Sequence, residues 1–235
     1  MLNSILKSVM DSAPVLRVLE VLDRRSENRM SEFGMLAQAF QFVKTNEISG
    51  DYFEFGLWRG KTFAWARIMA MRYRVKGITF RGFDSFQGLP APTEVQYNIW
   101  TRDEFACNKH EFEQILKKKG FREGEYELTQ GFYDQTLTPA FSASLQANGV
   151  KAAIVYVDCD LYESTRDVLR FLPPFLQDGT VLCFDDYYAY RGRTDMGEQR
   201  ALAEFRKGNP GIHLEPYVVY GSLGMSFLCQ VNVSG

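Results

Sequence analysis

The stretch Asp51-Tyr-Phe-Glu-Phe-Gly-Leu-Trp-Arg-Gly60, with Lys61 to Tyr73 and Ile78 to Phe83 behind it, decides the fold. Asp51 to Gly56 reads as a strand that ends at a glycine. Lys61 to Tyr73 reads as a helix, and Ile78 to Phe83 as a second strand. Strand, glycine turn, helix and strand make a βαβ unit, which puts the two strands parallel with a right-handed crossover. The same alternation continues downstream. Glu104 to Lys119 is a helix, Tyr126 to Thr129 a third strand, and Gln135 to Asn148 a turn and helix. The apolar run Ala152 to Val157 is a fourth strand, followed by a helix from Ser164 to Leu176. Gly179 to Phe184 is a fifth strand, and Met196 to Lys207 a helix. His213 to Val219 and Leu223 to Gln230 flank Tyr220-Gly-Ser222, which suits a hairpin. The expected fold class is therefore α/β: a doubly wound, mostly parallel, seven-stranded Rossmann-like sheet covered on both faces, with one antiparallel strand at its end.

Upstream of this unit, Leu2 to Met10, Val15 to Arg24 and Ser31 to Lys44 carry apolar residues at helical spacing. Residues 1–48 thus read as a helical extension of one domain that spans 1–235. Its apolar positions Leu16, Leu19, Val21 and Leu22 could pack on this chain or on a second copy, giving a homo-oligomer.

The 235 residues are 46% hydrophobic and 24% charged, with a formal net charge of −2. That balance suits a globular protein and offers no basic excess for nucleic acid. No run is long enough to cross a bilayer, and the polar-broken start, MLNSILKSVMDSAP, does not read as a signal peptide. Cys107, Cys159, Cys183 and Cys229 form no CxxC pair, so buried free thiols and a cytoplasmic location are expected. Two histidines, His110 and His213, are too few for a His-rich metal site.

In a doubly wound sheet, ligands sit beyond the carboxyl ends of the strands. After the first strand, Gly56 and Gly60 bracket a turn into a helix start, where free amides favour an anion. Glu54 beside them could accept from an ammonium, so the pair suits an amino-acid ligand. A plain strand-to-helix turn reads equally well. Asp84 follows the second strand, where an acidic side chain accepts from ribose hydroxyls; a turn-forming Asp is the alternative. Gln130-Gly-Phe-Tyr follows the third strand and could border an adenine ring, or be a turn with core aromatics.

The fourth strand runs into Asp158-Cys-Asp160-Leu-Tyr-Glu163, and the fifth into Asp185-Asp186. Carboxylates brought together repel unless a cation or proton intervenes. Asp158, Asp185 and Asp186 would supply hard oxygen ligands for Mg²⁺. Asp160 and Glu163 read instead as caps of the helix that follows.

Four motifs occur in order: Glu54-Phe-Gly-Leu-Trp-Arg-Gly60, Asp84-Ser-Phe-Gln-Gly-Leu-Pro90, Asp158-Cys-Asp-Leu-Tyr-Glu-Ser-Thr165 and Asp185-Asp-Tyr187. Together they resemble the macrocin O-methyltransferase (TylF-type) family, over roughly Gly50 to Phe205. The resemblance implies a class I methyltransferase fold and an S-adenosylmethionine- and Mg²⁺-dependent O-methyltransferase acting on a sugar or other small natural-product acceptor. By position it implies that Glu54, Gly56, Arg59 and Gly60 line the amino-acid end of the cofactor. Asp84 and Ser85 would meet the ribose, and Gln130, Gly131 and Phe132 the adenine. Asp158 would touch both cofactor and metal, with Asp185 and Asp186 completing the ligand set. One departure stands out: the family places a histidine base in the insertion after the second strand, and none lies between Gln96 and Glu104 here. Asp103, with Glu104 beside it, is the substitute. Two readings compete with the enzyme: a nicotinamide-dependent dehydrogenase, against which the absence of GxGxxG speaks, and a catalytically degenerate methyltransferase-like binding domain.

Overall fold

The computed structural model describes residues 31–231. Two of the three helices expected upstream, at Leu2 to Met10 and Val15 to Arg24, lie outside them. The described chain begins with α1 (Glu32–Thr45), capped by the Ser31 hydroxyl, which accepts from Gly34 N–H. It continues through β1 (Asp51–Phe55), α2 (Lys61–Tyr73), β2 (Phe80–Asp84), α3 (Lys109–Lys118) and β3 (Tyr126–Gln130). A single turn, α4 (Tyr133–Thr136), precedes α5 (Pro139–Ala147), β4 (Ala152–Val157) and α6 (Tyr162–Phe171). Last come β5 (Val181–Phe184), α7 (Gly197–Gly208), β6 (Ile212–Tyr220) and β7 (Gly224–Val231).

The seven strands form one sheet in the order β3-β2-β1-β4-β5-β7-β6. β1 to β5 pair in parallel, while β7 runs antiparallel to both β5 and β6. The antiparallel strand is therefore not at the sheet's end: the hairpin folds back so that β7 slips between β5 and β6. Strand order reverses between β1 and β4, and the site lies at the carboxyl ends of those two strands.

β1 and β4 are buried along their whole length. On β1, Phe53 and Phe55 face a core built with α6 and α7, while Tyr52 faces the core under α1, α2 and α3. Burying each of these aromatics contributes roughly 1.5–3 kcal/mol relative to exposure. Met35, Leu36, Ala39, Phe40 and Val43 of α1 are sealed in that second core. α1 is thus a structural layer of the sheet rather than an appendage to it.

One helix starts later than its periodicity predicts. α3 begins after Asn108, whose side chain accepts from Glu111 N–H at 3.0 Å, so residues 104–108 are irregular. Residues 85–108 thereby become a lid between β2 and α3. Its base is clamped by two backbone bonds of 3.0 Å, Leu89 N–H to Glu104 C=O and Asp103 N–H to Leu89 C=O. Among the described residues, no helix is long and apolar enough to cross a membrane.

Candidate active site

A cavity of about 600 Å³ opens at the carboxyl ends of β1, β2, β4 and β5, beneath the lid. The first loop reaches it through Gly56, Leu57 and Trp58. Gly56 sits at φ +90°, and a methyl there would overlap the Asp158 carbonyl oxygen. Only glycine permits this approach, and it locks the loop after β1 against the loop after β4.

Asp84 organises the same region. Its Oδ2 accepts from Leu57 N–H at 2.7 Å and Trp58 N–H at 3.3 Å, and its Oδ1 from Phe86 N–H at 2.6 Å. Burial raises its pKa, against which these three amides act. Ser85 builds the next turn: its hydroxyl donates to Gly88 C=O at 2.8 Å and accepts from Gln87 N–H at 3.0 Å. Gly131, whose N–H donates to Asp84 C=O, and Phe132 close the far side.

Four of the expected cofactor residues stand elsewhere. Glu54 is fully buried beneath the loop, where its carboxyl accepts from the hydroxyls of Tyr52 and Thr62. Strand alternation is the reason: Glu54 follows Tyr52 onto the α1–α2 side of the sheet. Burial pushes its pKa up to about 8, against the lowering effect of those hydroxyls. Arg59 turns outward to an ion pair with Glu111 at 2.7 Å. Gly60 starts α2 in the left-handed region and backs onto the Phe112 ring. Gln130, the last residue of β3, is exposed and does not line the cavity.

The carboxylates gather as a group, and Asp160 joins the three expected members. An oxygen from each of Asp158, Asp160 and Asp186 lies within 4.8 Å of the other two. Asp160 is no helix cap. α6 begins after Leu161 without any side-chain cap, and the Asp160 carboxyl hydrogen-bonds Asp186 instead. Glu163 does not cap it either and lines the cavity. Asp185 also lines the cavity, but its Oδ1 accepts from the Tyr156 hydroxyl on the α1 side of the sheet. Burial, reinforced by mutual repulsion, raises the pKa of Asp158 and Asp186 well above the usual carboxylate range. Burial also raises Asp185, and it brings Asp160 to about 7. The nearby cations are committed elsewhere: Arg166 pairs with Asp167 at 2.9 Å, and Lys61 with Glu32 at 2.8 Å. A crowded set of hard oxygen donors with no basic partner fits a divalent cation.

Asp103, the expected substitute base, does not line the cavity. Asp103 is exposed at the lid surface beside Arg102, at 3.5 Å, because its backbone, at φ +65°, is spent on the clamp with Leu89. Glu104 lines the cavity instead, with Oε2 accepting from Thr101 N–H at 2.9 Å. His110 lies exposed on α3. The lid contributes Trp100 and Phe105, and α6 contributes Arg166 and Asp167. These α6 residues escape a sequence reading because a helix start gives no sign of which side chains face a cavity. Tyr97, Tyr187 and Tyr188 stay outside the lining.

The strand order, the glycine after β1 and the acidic residue at the end of β2 are those of a class I methyltransferase fold. The comparisons agree. CalS11, a calicheamicin methyltransferase of known structure, superposes with a TM-score of 0.68 at 21% identity, covering 96% of this chain and 90% of that one. The family model described as macrocin-O-methyltransferase (TylF) matches residues 26–213, and the chain belongs to that family. The 8-demethyl-8-(2,3-dimethoxy-alpha-L-rhamnosyl)-tetracenomycin-C 4'-O-methyltransferase of Streptomyces olivaceus is 29% identical over 185 residues, 69% of this chain. The demethyldecarbamoylnovobiocin O-methyltransferase of Streptomyces niveus is 28% identical over 181 residues, 70% of this chain. Each match spans 66% of the relative's own length.

Proposed function

We propose that this chain is an S-adenosylmethionine-dependent O-methyltransferase, assisted by Mg²⁺, that acts on a hydroxyl of a sugar or other small natural-product acceptor. The observation that carries the reading is convergence. A glycine that packs the loop after β1 onto the loop after β4, an aspartate at the end of β2 and a half-buried carboxylate group without basic partners all meet at one cavity. Family membership supports the transfer chemistry, and the printed activities of the two Streptomyces relatives support the acceptor class. The four free, buried cysteines support a reducing, cytoplasmic setting.

The residues divide the work. The first loop, held by Asp84, receives the amino-acid end of the cofactor beside Gly56. A carboxylate offers about four acceptor positions, and three amides use three of those of Asp84. One remains for a ribose hydroxyl. Gly131 and Phe132 border the adenine. Asp158 and Asp186 hold the cation with Asp185, whose bond from Tyr156 orients it as ligating carboxylates are usually oriented. When bound, the cation would supply Lewis acidity to the acceptor hydroxyl, and S-adenosylmethionine the methyl group. Asp160, on the cavity wall and within 4.8 Å of the Asp158 and Asp186 oxygens, takes the hydroxyl proton. Trp100 and Phe105 of the lid exclude water and hold the acceptor in line.

Calorimetric titration of S-adenosylmethionine, in Mg²⁺ and in chelator, tests the first half. Methyl transfer to a panel of hydroxylated sugars and phenols tests the second. No cofactor binding in either condition overturns the reading. Binding without transfer to any acceptor leaves a binding domain. Asp160→Asn should abolish transfer and spare Mn²⁺ binding, whereas Asp185→Asn should weaken Mn²⁺ binding. The opposite pattern exchanges those two roles.

A further inference from the structure

We infer that Glu198 is a positioning residue for the carboxylate group: it fixes the backbone of Asp186 and so aims that side chain at Asp158 and Asp160. The inference rests on the proposed cation site and deepens it.

Glu198 is the second residue of α7 and is 1% exposed. Its Oε2 accepts from Asp186 N–H at 3.2 Å. Its Oε1 is buried and has no partner among the described residues. A buried carboxylate with one oxygen unused is costly, and a helix start does not require it. An exposed acidic residue in the first turn would serve the helix dipole as well. The residue before α7, Met196, makes no side-chain cap, so Glu198 is not part of a capping pair.

The backbone of β5 explains the need. Asp185 N–H bonds Val157 C=O at 3.0 Å, the last step of the ladder between β4 and β5. Asp186 N–H is the first amide beyond the sheet, and a buried amide must find an acceptor. Glu198 supplies it, while Ala189 N–H, at 2.9 Å, takes the Asp186 carbonyl. Residue 186 is therefore gripped on both sides. Without that grip, the Asp186 side chain would be free to leave the Asp158 and Asp160 carboxyls.

The test is Mn²⁺ binding, followed by calorimetry and by the electron spin resonance of the free ion. It compares the full chain with Glu198→Met, which fills the space without an acceptor, and Glu198→Gln, which keeps an oxygen for Asp186 N–H. Thermal melts check that each variant folds, and S-adenosylmethionine binding is the parallel control. Glu198→Met should weaken Mn²⁺ binding roughly 10–100-fold, the range for groups that orient metal ligands. Cofactor binding should be unchanged, and Glu198→Gln should recover most of the affinity. Unchanged Mn²⁺ affinity in Glu198→Met overturns the proposal. So does a Gln variant as weak as Met, which would assign the effect to charge. A wild-type chain that binds no Mn²⁺ overturns the cation site itself, and this inference with it.

Discussion

Replacing Glu54 with Gln should change how stability depends on pH. Glu54 is fully buried, and burial moves its pKa from 4.5 to about 8. The unfolded chain releases this proton near 4.5, whereas the folded chain keeps it to about 8. Between those values the folded state binds more protons than the unfolded state, so stability falls as pH rises. At 1.36 kcal/mol per pH unit, the whole window is worth on the order of 5 kcal/mol, and the stretch from pH 5 to 7.5 about 3 kcal/mol. Gln cannot ionise and abolishes that slope. It also mismatches one of the two hydroxyls from Tyr52 and Thr62, at a cost of roughly 1 kcal/mol at any pH. The two stability curves should therefore cross: Glu54 is equal or better at pH 5, and Gln is better by pH 7.5. Urea denaturation of both proteins at pH 5, 6.5 and 7.5 measures the difference, in which the other buried carboxylates largely cancel. Parallel curves would refute the reasoning, because they would mean that Glu54 is ionised in the folded protein throughout.

Gly56→Ala should cost roughly 1–3 kcal/mol for its positive φ alone, and more for the overlap with the Asp158 carbonyl. The expected readout is a lowered melting temperature together with loss of S-adenosylmethionine binding. Turnover should show an acid limb, rising with pH as Asp160 ionises, that bends at or below about 7 because a bound cation favours the ionised carboxyl. Asp103→Asn keeps the left-handed backbone and removes only an exposed charge, so kcat and KM should not change.

The fold was legible because its signals are local. A glycine after Phe55, an all-apolar Ala152 to Val157 and acidic residues after three strands need only strand geometry to be read. The slot taken by β7 was not legible, since hairpin residues do not encode which of the two strands pairs with β5. Nor was the fate of Glu54: position in sequence puts it beside the ligand loop, but the two-residue period of β1 carries it to the other face of the sheet. Asp160 reads as a cap in a string of letters, and only the folded loop shows its carboxyl against Asp186. Glu198, twelve residues beyond Asp186, sits in an ordinary amphipathic helix start and carries no local mark at all.

The lid rests on the body through a handful of side chains. Glu94 accepts from Gly197 N–H at 2.7 Å and from Arg200 at 3.1 Å, and Arg191 lies over the Tyr97 ring. None of these contacts includes Asp158, Asp160, Asp185 or Asp186. Val95 and Ile99, at the lid's crest, are 80% and 72% exposed and hold nothing in place. The lid's fastening and the carboxylate group thus stand on separable residues. A lineage, or an engineer, can rewrite Val95 and Ile99 and leave the carboxylates beneath untouched.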